Sequence, residues 1–531
     1  MKKLRSIAVA FIGVAFAAAE PLELQKGDVV AFVGGADLVR MQDDGRLEAA
    51  LTLRFREANP QFRDLAWEGD TVYFQNAVRE RWRTEAFGGW SEQLRRIKAT
   101  VVIVQFGKME SFEGVAKIAQ FKEAYGKLID DLAGEGRRAI LLAPSPFEWP
   151  AARERAALNS YTKAVASLAK SKKIPFITGN QADSVEAFIL GLTGKTEPNG
   201  PTYEQIRSTV REKHRLWVEY WRPTNWKCIF GDDSKRIFSK ASHGRPSIQE
   251  EWATYPALIQ AAENAIQKGA PWNAPAPSAL TGSKEANLKN ELASFEVLEG
   301  FEVNLFADES KGIANPLSVR WDANGCMYVA CSDAYPQIEP GVQGNDKVIT
   351  LRDTNGDGRA DESMVFADGL RIPTGMEVGP DRVYIGQGTE LLTLRDTTGD
   401  GHANERRTLL TGFGNGDSHQ TSNSFVWSPG GELWWCQGDG IESRVETPFG
   451  VSSLFQAGVF RLRPNELRLD GLLDDFMGPG NPWGIAFDDY GQSFVIDGAG
   501  GVSYLTPASI PAKRRLRLPR IGNPDCQSEV I

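Results

Sequence analysis

Two stretches crowd hard oxygen donors into a few positions, and one repeats the other. Leu351 to Glu362 reads LRDTNGDGRADE, and Leu394 to Glu405 reads LRDTTGDGHANE, 43 residues further on. In the first, Asp353, Asn355, Asp357 and Asp361 present side-chain oxygens at alternating positions around a glycine turn, with the Arg359 carbonyl among them. In the second, Asp396, Thr398, Asp400 and Asn404 do the same with less charge. Oxygen ligands at that spacing suit calcium, although neither loop ends in the bidentate glutamate of a helix–loop–helix site. The bland alternative is a solvated Asp/Gly turn between strands.

Such loops need strands to hold them. A period of roughly 40–45 residues built from short strands is the mark of a β-propeller blade. Four segments share one template, an apolar strand, a Gly/Asn/Asp turn and a second apolar strand. They are PLSVRWDANGCMYVACS (316–332), PTGMEVGPDRVYIGQG (373–388), SNSFVWSPGGELWWCQG (422–438) and NPWGIAFDDYGQSFVIDG (481–498). Residues 284–531 are therefore expected to form about four blades of a propeller, with no helices. Trp427, Trp434, Trp435 and Trp483 lie on or beside its strands. Alternation turns Trp434 and Trp435 to opposite faces, which predicts one in the core and one near the central channel. Sugar stacking and inter-blade packing are the two uses open to them.

The first half follows another rule. DVVAFVG (28–34), VVIVQFG (101–107) and AILLAP (139–144) are short apolar runs, as in strands buried on both faces. Phe121, Tyr125, Leu128, Ile129 and Leu132 recur at helical spacing between them, as do Leu158, Tyr161, Val165 and Leu168. Strands spaced by helices predict a parallel sheet covered on both sides, a three-layer α/β domain over residues 20–268. The Pro/Ala-rich stretch 269–283 reads as a linker.

The 531 residues exceed what one core can serve. The net charge of −9, with no basic block, argues against nucleic acid and anionic membranes. MKKLRSIAVAFIGVAFAAAE has the basic start, apolar run and small residues of a secretory signal peptide, residues 1–19, cut after Ala19. The mature protein is expected to be secreted or periplasmic, without a membrane span. Five cysteines are too few for a disulfide scaffold, and Cys331 and Cys436 fall at matching blade positions as buried thiols. No C-x-x-C-H occurs, so this chain holds no covalent haem site.

GDVVAFVGGADLVRMQ, LAWEGDTV (65–72) and VQFGKMESF (105–113) give the first half a resemblance to the SGNH/GDSL hydrolases, a flavodoxin-like fold. That resemblance implies a nucleophile at Ala36, oxyanion donors at Gly69 and Met109, a glycine at Gly107, and a last block near TGNQADSVEAF, where Gly179 and Asp183 stand. Ala36 has no hydroxyl, Met109 replaces an asparagine, and no histidine follows at the base position, His214 and His243 lying too far along. An inactive hydrolase fold is expected, since ester hydrolysis by this route needs an activated hydroxyl and a base.

From ELASFEVLEGFEVNLFA (291–307) onward, the second half resembles the propellers of large secreted, haem-binding-type dehydrogenase-like proteins of planctomycetes and verrucomicrobia. Their carrying residues here are WDANGCMYVACSDAYPQI, NDKVITLRDTNGDGRADESMVFADGL and GDSHQTSNSFVWSPGGELWWCQG, with NPWGIAFDDYGQSFVIDGAGGVSYLTP. Those propellers are distantly similar to quinoprotein glucose/sorbosone dehydrogenases, which implies pyrroloquinoline quinone, a carbohydrate substrate and a redox partner. It also implies a general base at His419, ahead of SFVWSPGGELWWCQGD, with Ser422, Asn423 and Ser424 in place of an expected Gly-Arg. Rings of that kind usually need about six blades, so the chain reads as a fragment, a truncated product or an open ring. Sugar oxidation is the leading expectation. A non-catalytic glycan-binding or scaffold protein is the alternative, and an active esterase comes last.

Overall fold

Val29–Gly34 is apolar throughout except for its terminal glycine, and every residue of it is buried in a parallel sheet. The computed structural model describes residues 22–178, 184–231, 234, 247–275, 288–338, 341–472, 480–498, 501–506 and 520–522. The signal segment, Gly179, Asp183, His243 and Cys526 lie outside them.

Strands β1 (Val29–Gly34), β2 (Gln61–Asp64), β3 (Val101–Gln105), β4 (Arg138–Leu142) and β5 (Phe176–Ile177) lie in the order β2-β1-β3-β4-β5, all parallel. Side chains alternate across the pleat. Ala31, Val33, Val102, Val104 and Leu141 therefore meet Phe121, Tyr125, Leu128 and Tyr161 on one face. Val30, Phe32, Ile103, Ile140 and Leu142 meet Leu47, Leu51, Ile189, Ile206 and Val210 on the other. This is the three-layer α/β domain that the apolar runs predict. β2 is the strand those runs do not reveal, because it buries Arg63 and Asp64 with Phe62. Residues 269–275 are not a free tether. Trp272 and Ala274 pack on the α/β core, and the Ala274 N–H donates to Glu212 Oε1 at 3.1 Å.

Among its described residues the second half is all-β apart from the short helix Leu288–Leu292 and one 3₁₀ turn, a small correction to the expectation of no helices. Four antiparallel four-stranded sheets follow one another. They are β6 (Pro316–Trp321) to β9 (Glu362–Leu370) through β7 (Met327–Cys331) and β8 (Asp346–Arg352), then β10 (Pro373–Val378), β11 (Val383–Gln387), β12 (Glu390–Arg395) and β13 (Glu405–Thr411). The third contains β14 (Asn423–Trp427), β15 (Leu433–Gln437), β18 (Gly458–Arg463) and β19 (Arg468–Leu472), interrupted by the separate hairpin β16 (Ser443–Thr447) and β17 (Gly450–Leu454). The fourth is β20 (Pro482–Phe487), β21 (Ser493–Asp497), β22 (Val502–Thr506) and β23 (Arg520–Gly522). First strands of successive sheets pack side by side, β6 on β10, β10 on β14 and β14 on β20, which gives a propeller-like arrangement.

Apolar residues cement neighbouring blades. Trp435 is fully buried, stacks on Phe425 of its own blade with ring centroids 5.1 Å apart, and shares a core cluster with Tyr384, Leu391 and Leu410 of the preceding blade. Trp434 turns the other way and meets Phe487 of the next blade edge-on at 5.2 Å. Both indoles are thus inter-blade packing, and the expectation that one faces the channel is corrected: a four-stranded blade has a neighbour on each face. Trp427 donates from Nε1 to the Val378 carbonyl at 2.8 Å, whereas Trp483 is the exposed one. Cys228, Cys326, Cys331 and Cys436 are buried, Cys326 standing just before β7. Among the described residues no helix is long and apolar enough to cross a membrane.

Candidate functional site

The β1 strand ends in Gly34 and Gly35, and Ala36 opens the short helix Ala36–Gln42. At this strand-to-helix turn the Ala36 N–H points out of the sheet and donates to Glu446 Oε1 at 2.7 Å. The Gly69 N–H donates to the same oxygen at 3.0 Å. Gly69 has φ +73, in the left-handed region that glycine enters at low cost. These are the two backbone amides at the predicted nucleophile and oxyanion-glycine positions, and both converge on one carboxylate.

Glu446 comes from the other half of the chain, on β16. The hairpin β16–β17 leaves the third blade and lies against the α/β domain. Arg444 fixes it there: its Nε donates to the Gly69 carbonyl at 3.0 Å and its guanidinium covers the Phe74 ring at 4.2 Å, while its backbone N–H ties the hairpin to the Gly412 carbonyl after β13 at 2.7 Å. The fit leaves no room for side chains at the contact. A Cβ on Gly35 would stand 2.5 Å from Glu446 Oε1, and one on Gly69 would stand 2.2 Å from the Arg444 carbonyl oxygen.

Burial pushes the Glu446 carboxyl up to about 7, and Asp37 adds to the rise; the Ala36 and Gly69 amides and Lys108 oppose it. Lys108 Nζ also binds Asp37 Oδ1 at 2.7 Å. Gly107, at φ +114, gives its N–H to Glu110 Oε2 at 2.9 Å, and Val72 gives its N–H to Glu110 Oε1 at 2.7 Å. Glu110 is itself raised to about 6 by burial. Met109 lines the same space as Ala36 and Glu446.

That space is a cavity of about 1040 Å³ between the two halves. Ala36, Asp37, Lys108, Met109 and Glu446 line it, as do His214, Arg211, Arg215, Arg222, Arg371, Glu390, Phe147 and Trp149. His214 therefore shares the cavity with Ala36, but its Nε2 faces Asp43 Oδ1 at 3.9 Å. Predicted positions Ala36, Gly69 and Met109 come together, Gly107 supports them through Glu110, and Asp183 lies outside the described residues. Ala36 has no hydroxyl to activate, and the two amides that would hold an oxyanion already bind Glu446.

His419 sits elsewhere, on the loop before β14. Asp417 Oδ1 takes the His419 backbone N–H at 3.0 Å and stands 2.7 Å from the ring Nδ1. Burial works to raise Asp417, but His419 and Lys227 hold it below the usual carboxylate range. Tyr335 meets the imidazole edge-on at 5.1 Å. A carboxylate-oriented imidazole can serve as a base. The residues after it do not fit a quinone: Ser422 and Asn423 are buried, and the Ser422 carbonyl accepts from Thr374 Oγ1 at 2.8 Å. Ser424 donates to Asn423 Oδ1 at 2.8 Å, so this stretch offers no cation to a quinone's acidic groups.

The repeated loops connect β8 to β9 and β12 to β13. Asp353 accepts the N–H groups of Asn355, Gly356 and Gly358 at 3.2, 2.6 and 2.8 Å. Asp396 accepts those of Thr398, Gly399 and Gly401 at 2.9, 2.6 and 2.8 Å. Asp361 and Asn404 each close the loop by accepting from Thr354 and Thr397. Asn355 Oδ1 accepts from the Asp357 N–H at 2.9 Å; Asp357 and Asp400 each cap the amide two residues on. Among the described residues no three His, Cys, Asp or Glu side chains stand close enough to hold a metal ion.

Sequence reasoning misses Glu446 and Arg444. Their signal was a length anomaly: twenty residues separate β15 from β18, against two between β11 and β12, and they contain the hairpin turn Pro448-Phe449-Gly450.

Residues 287–518 match the model of a domain of unknown function, DUF7133. No curated protein matches the chain. Among solved structures, the chain is similar to a catalytic mutant of Axe2, an acetylxylan esterase from Geobacillus stearothermophilus, at 15% identity over 30% of this chain and 79% of that one, TM-score 0.23. It is similar to BT4096, a gut microbial diltiazem-metabolizing enzyme, at 15% identity over 31% of this chain and 39% of that one, TM-score 0.24. A catalytically inactive virginiamycin B lyase from Staphylococcus aureus is similar at 9% identity over 40% of this chain and 56% of that one, TM-score 0.25.

Proposed function

We propose that this protein binds a carbohydrate-class ligand in the cavity between its two halves and hydrolyses no ester there. The observation that carries this is the carboxylate of Glu446 on the Ala36 and Gly69 amides, in the lining of a large cavity of mixed polarity. Guanidinium and carboxylate groups around it can hydrogen-bond hydroxyls, and the half-buried Trp149 offers an indole face. The extracytoplasmic placement rests on the basic, apolar and alanine-rich first 19 residues. Calorimetric titration of the whole protein with neutral oligosaccharides tests it. Saturable binding that Trp149→Ala weakens about tenfold is expected, from the worth of one aromatic contact; no heat with any oligosaccharide overturns it.

The Asp417–His419 pair favours a second reading, oxidation of a sugar hydroxyl with His419 as base and a redox partner as acceptor. General-base removal in His419→Ala would then lower kcat by about 10²–10⁴ in a dye-reduction assay with sugar substrates. Turnover equal in wild type and variant, or absent from both, ends that reading.

A further inference from the structure

We infer that the two amides at Ala36 and Gly69 form a carboxylate receptor whose built-in ligand is Glu446, and that this contact latches the propeller-like half onto the α/β half. Both donors lie 2.7–3.0 Å from a single oxygen, the distance at which backbone amides stabilise an oxyanion. In a hydrolase such amides hold the oxygen of a reacting acyl group only in passing. Here the acceptor belongs to the same chain and stays.

The surroundings are built for that occupant. Gly35 and Gly69 lack the Cβ that would strike Glu446 and the Arg444 carbonyl, and Gly69 holds a positive φ that turns its N–H towards the acceptor. Arg444, two residues before Glu446 on the same edge of β16, clamps the Gly69 carbonyl while Glu446 takes the Gly69 N–H. Both polar groups of one peptide-bearing residue are therefore held by one strand. Removing the carboxylate would leave two partly buried amides without their acceptor, a loss that a small carboxylate from solution can make good.

This rests on the hydrogen bonds of Glu446 and does not depend on sugar binding in the neighbouring cavity. The test is chemical rescue in the full chain. Glu446→Ala is expected to melt at lower temperature than wild type, and acetate to raise its melting point by ~2–4 °C. Wild type, and the variant in chloride at equal ionic strength, are expected not to shift. Glu446→Gln, which keeps one acceptor oxygen, is expected to melt near wild type and to ignore acetate. Acetate acting equally on wild type and Glu446→Ala overturns the inference. Should Glu446→Ala fail to fold, amide exchange in wild type decides: protection of the Ala36 and Gly69 N–H groups comparable to β1 supports the receptor, and fast exchange at both overturns it.

Discussion

Ala36 and Glu446 lie 410 positions apart in the chain, yet the Ala36 N–H gives Glu446 Oε1 a 2.7 Å hydrogen bond. That bond joins the start of the α/β domain to a hairpin inserted in the third blade, and it fills the place that the hydrolase resemblance assigns to the oxyanion.

Restoring the hydroxyl alone should therefore not restore chemistry. Ala36→Ser supplies an oxygen but leaves Glu446 on the amides and no described histidine beside it. Loss of one oxyanion donor typically costs about 10²–10³ in rate. Hydrolysis of p-nitrophenyl acetate by wild type and Ala36→Ser is expected to match the buffer background. Turnover by Ala36→Ser that titrates with enzyme would show a working site.

Stability should fall as pH rises from about 4.5 to 8. Glu446 and Glu80 are raised to about 7, and Glu110 and Asp64 to about 6, each chiefly by burial. A raised carboxyl binds its proton more tightly in the folded state, so its contribution is complete below the unfolded value and disappears as pH passes the folded one. For Glu446 alone the effect is on the order of 2 kcal/mol, allowing for partial solvent access. Urea unfolding between pH 5 and 8 should show the slope, and Glu446→Gln should flatten part of it. An unchanged slope in that variant would remove Glu446 from the pH response.

Arg83 should be among the most costly side chains to remove. It is fully buried between Trp67 and Trp221, 4.9 and 4.3 Å from their rings, and it donates to the Ala77 and Trp221 carbonyls at 3.0 and 2.9 Å. Arg83→Ala opens a cavity and strands those acceptors, a loss of about 3–5 kcal/mol. Lysine lacks the planar fork, so Arg83→Lys should recover little. Denaturant midpoints of the two variants check this.

Calcium in the repeated loops is testable by melting. If Asp353, Asp357 and Asp361 take up the ion, as the spacing predicts, a chelator lowers the melting temperature and Asp357→Ala abolishes the sensitivity. A ligand at a hundredfold excess over Kd contributes about 2.7 kcal/mol. Melting curves that coincide with and without chelator would leave the loops as hydrogen-bonded turns. Asp353→Ala should loosen the loop in either case, because three amides exchange a fixed acceptor for water.

Much of the fold is legible in local pattern. Apolar runs such as VVAFVG and VVIVQ announce strands buried on both faces, and the spacing of Phe121, Tyr125, Leu128 and Leu132 fixes which helix face meets them. The four strand–turn–strand templates become β6–β7, β10–β11, β14–β15 and β20–β21, because alternation and turn residues act within a few positions. β2 escapes, since buried Arg63 and Asp64 break the apolar pattern and are tolerated only where partners such as Glu263 and Arg222 arrive from distant helices.

The candidate site divides along the same line. Sequence alone shows that Ala36 cannot attack an ester, since a missing hydroxyl is a property of one residue. That the vacant amides hold a carboxylate was decided by tertiary structure, because Glu446 reaches them only once β15 and β18 have paired and thrown the β16–β17 hairpin outward. Nothing near Glu446 in the chain marks its partner. Hydrogen bonds between residues 377 and 410 positions apart depend on how two folded halves meet, and no local propensity encodes that meeting.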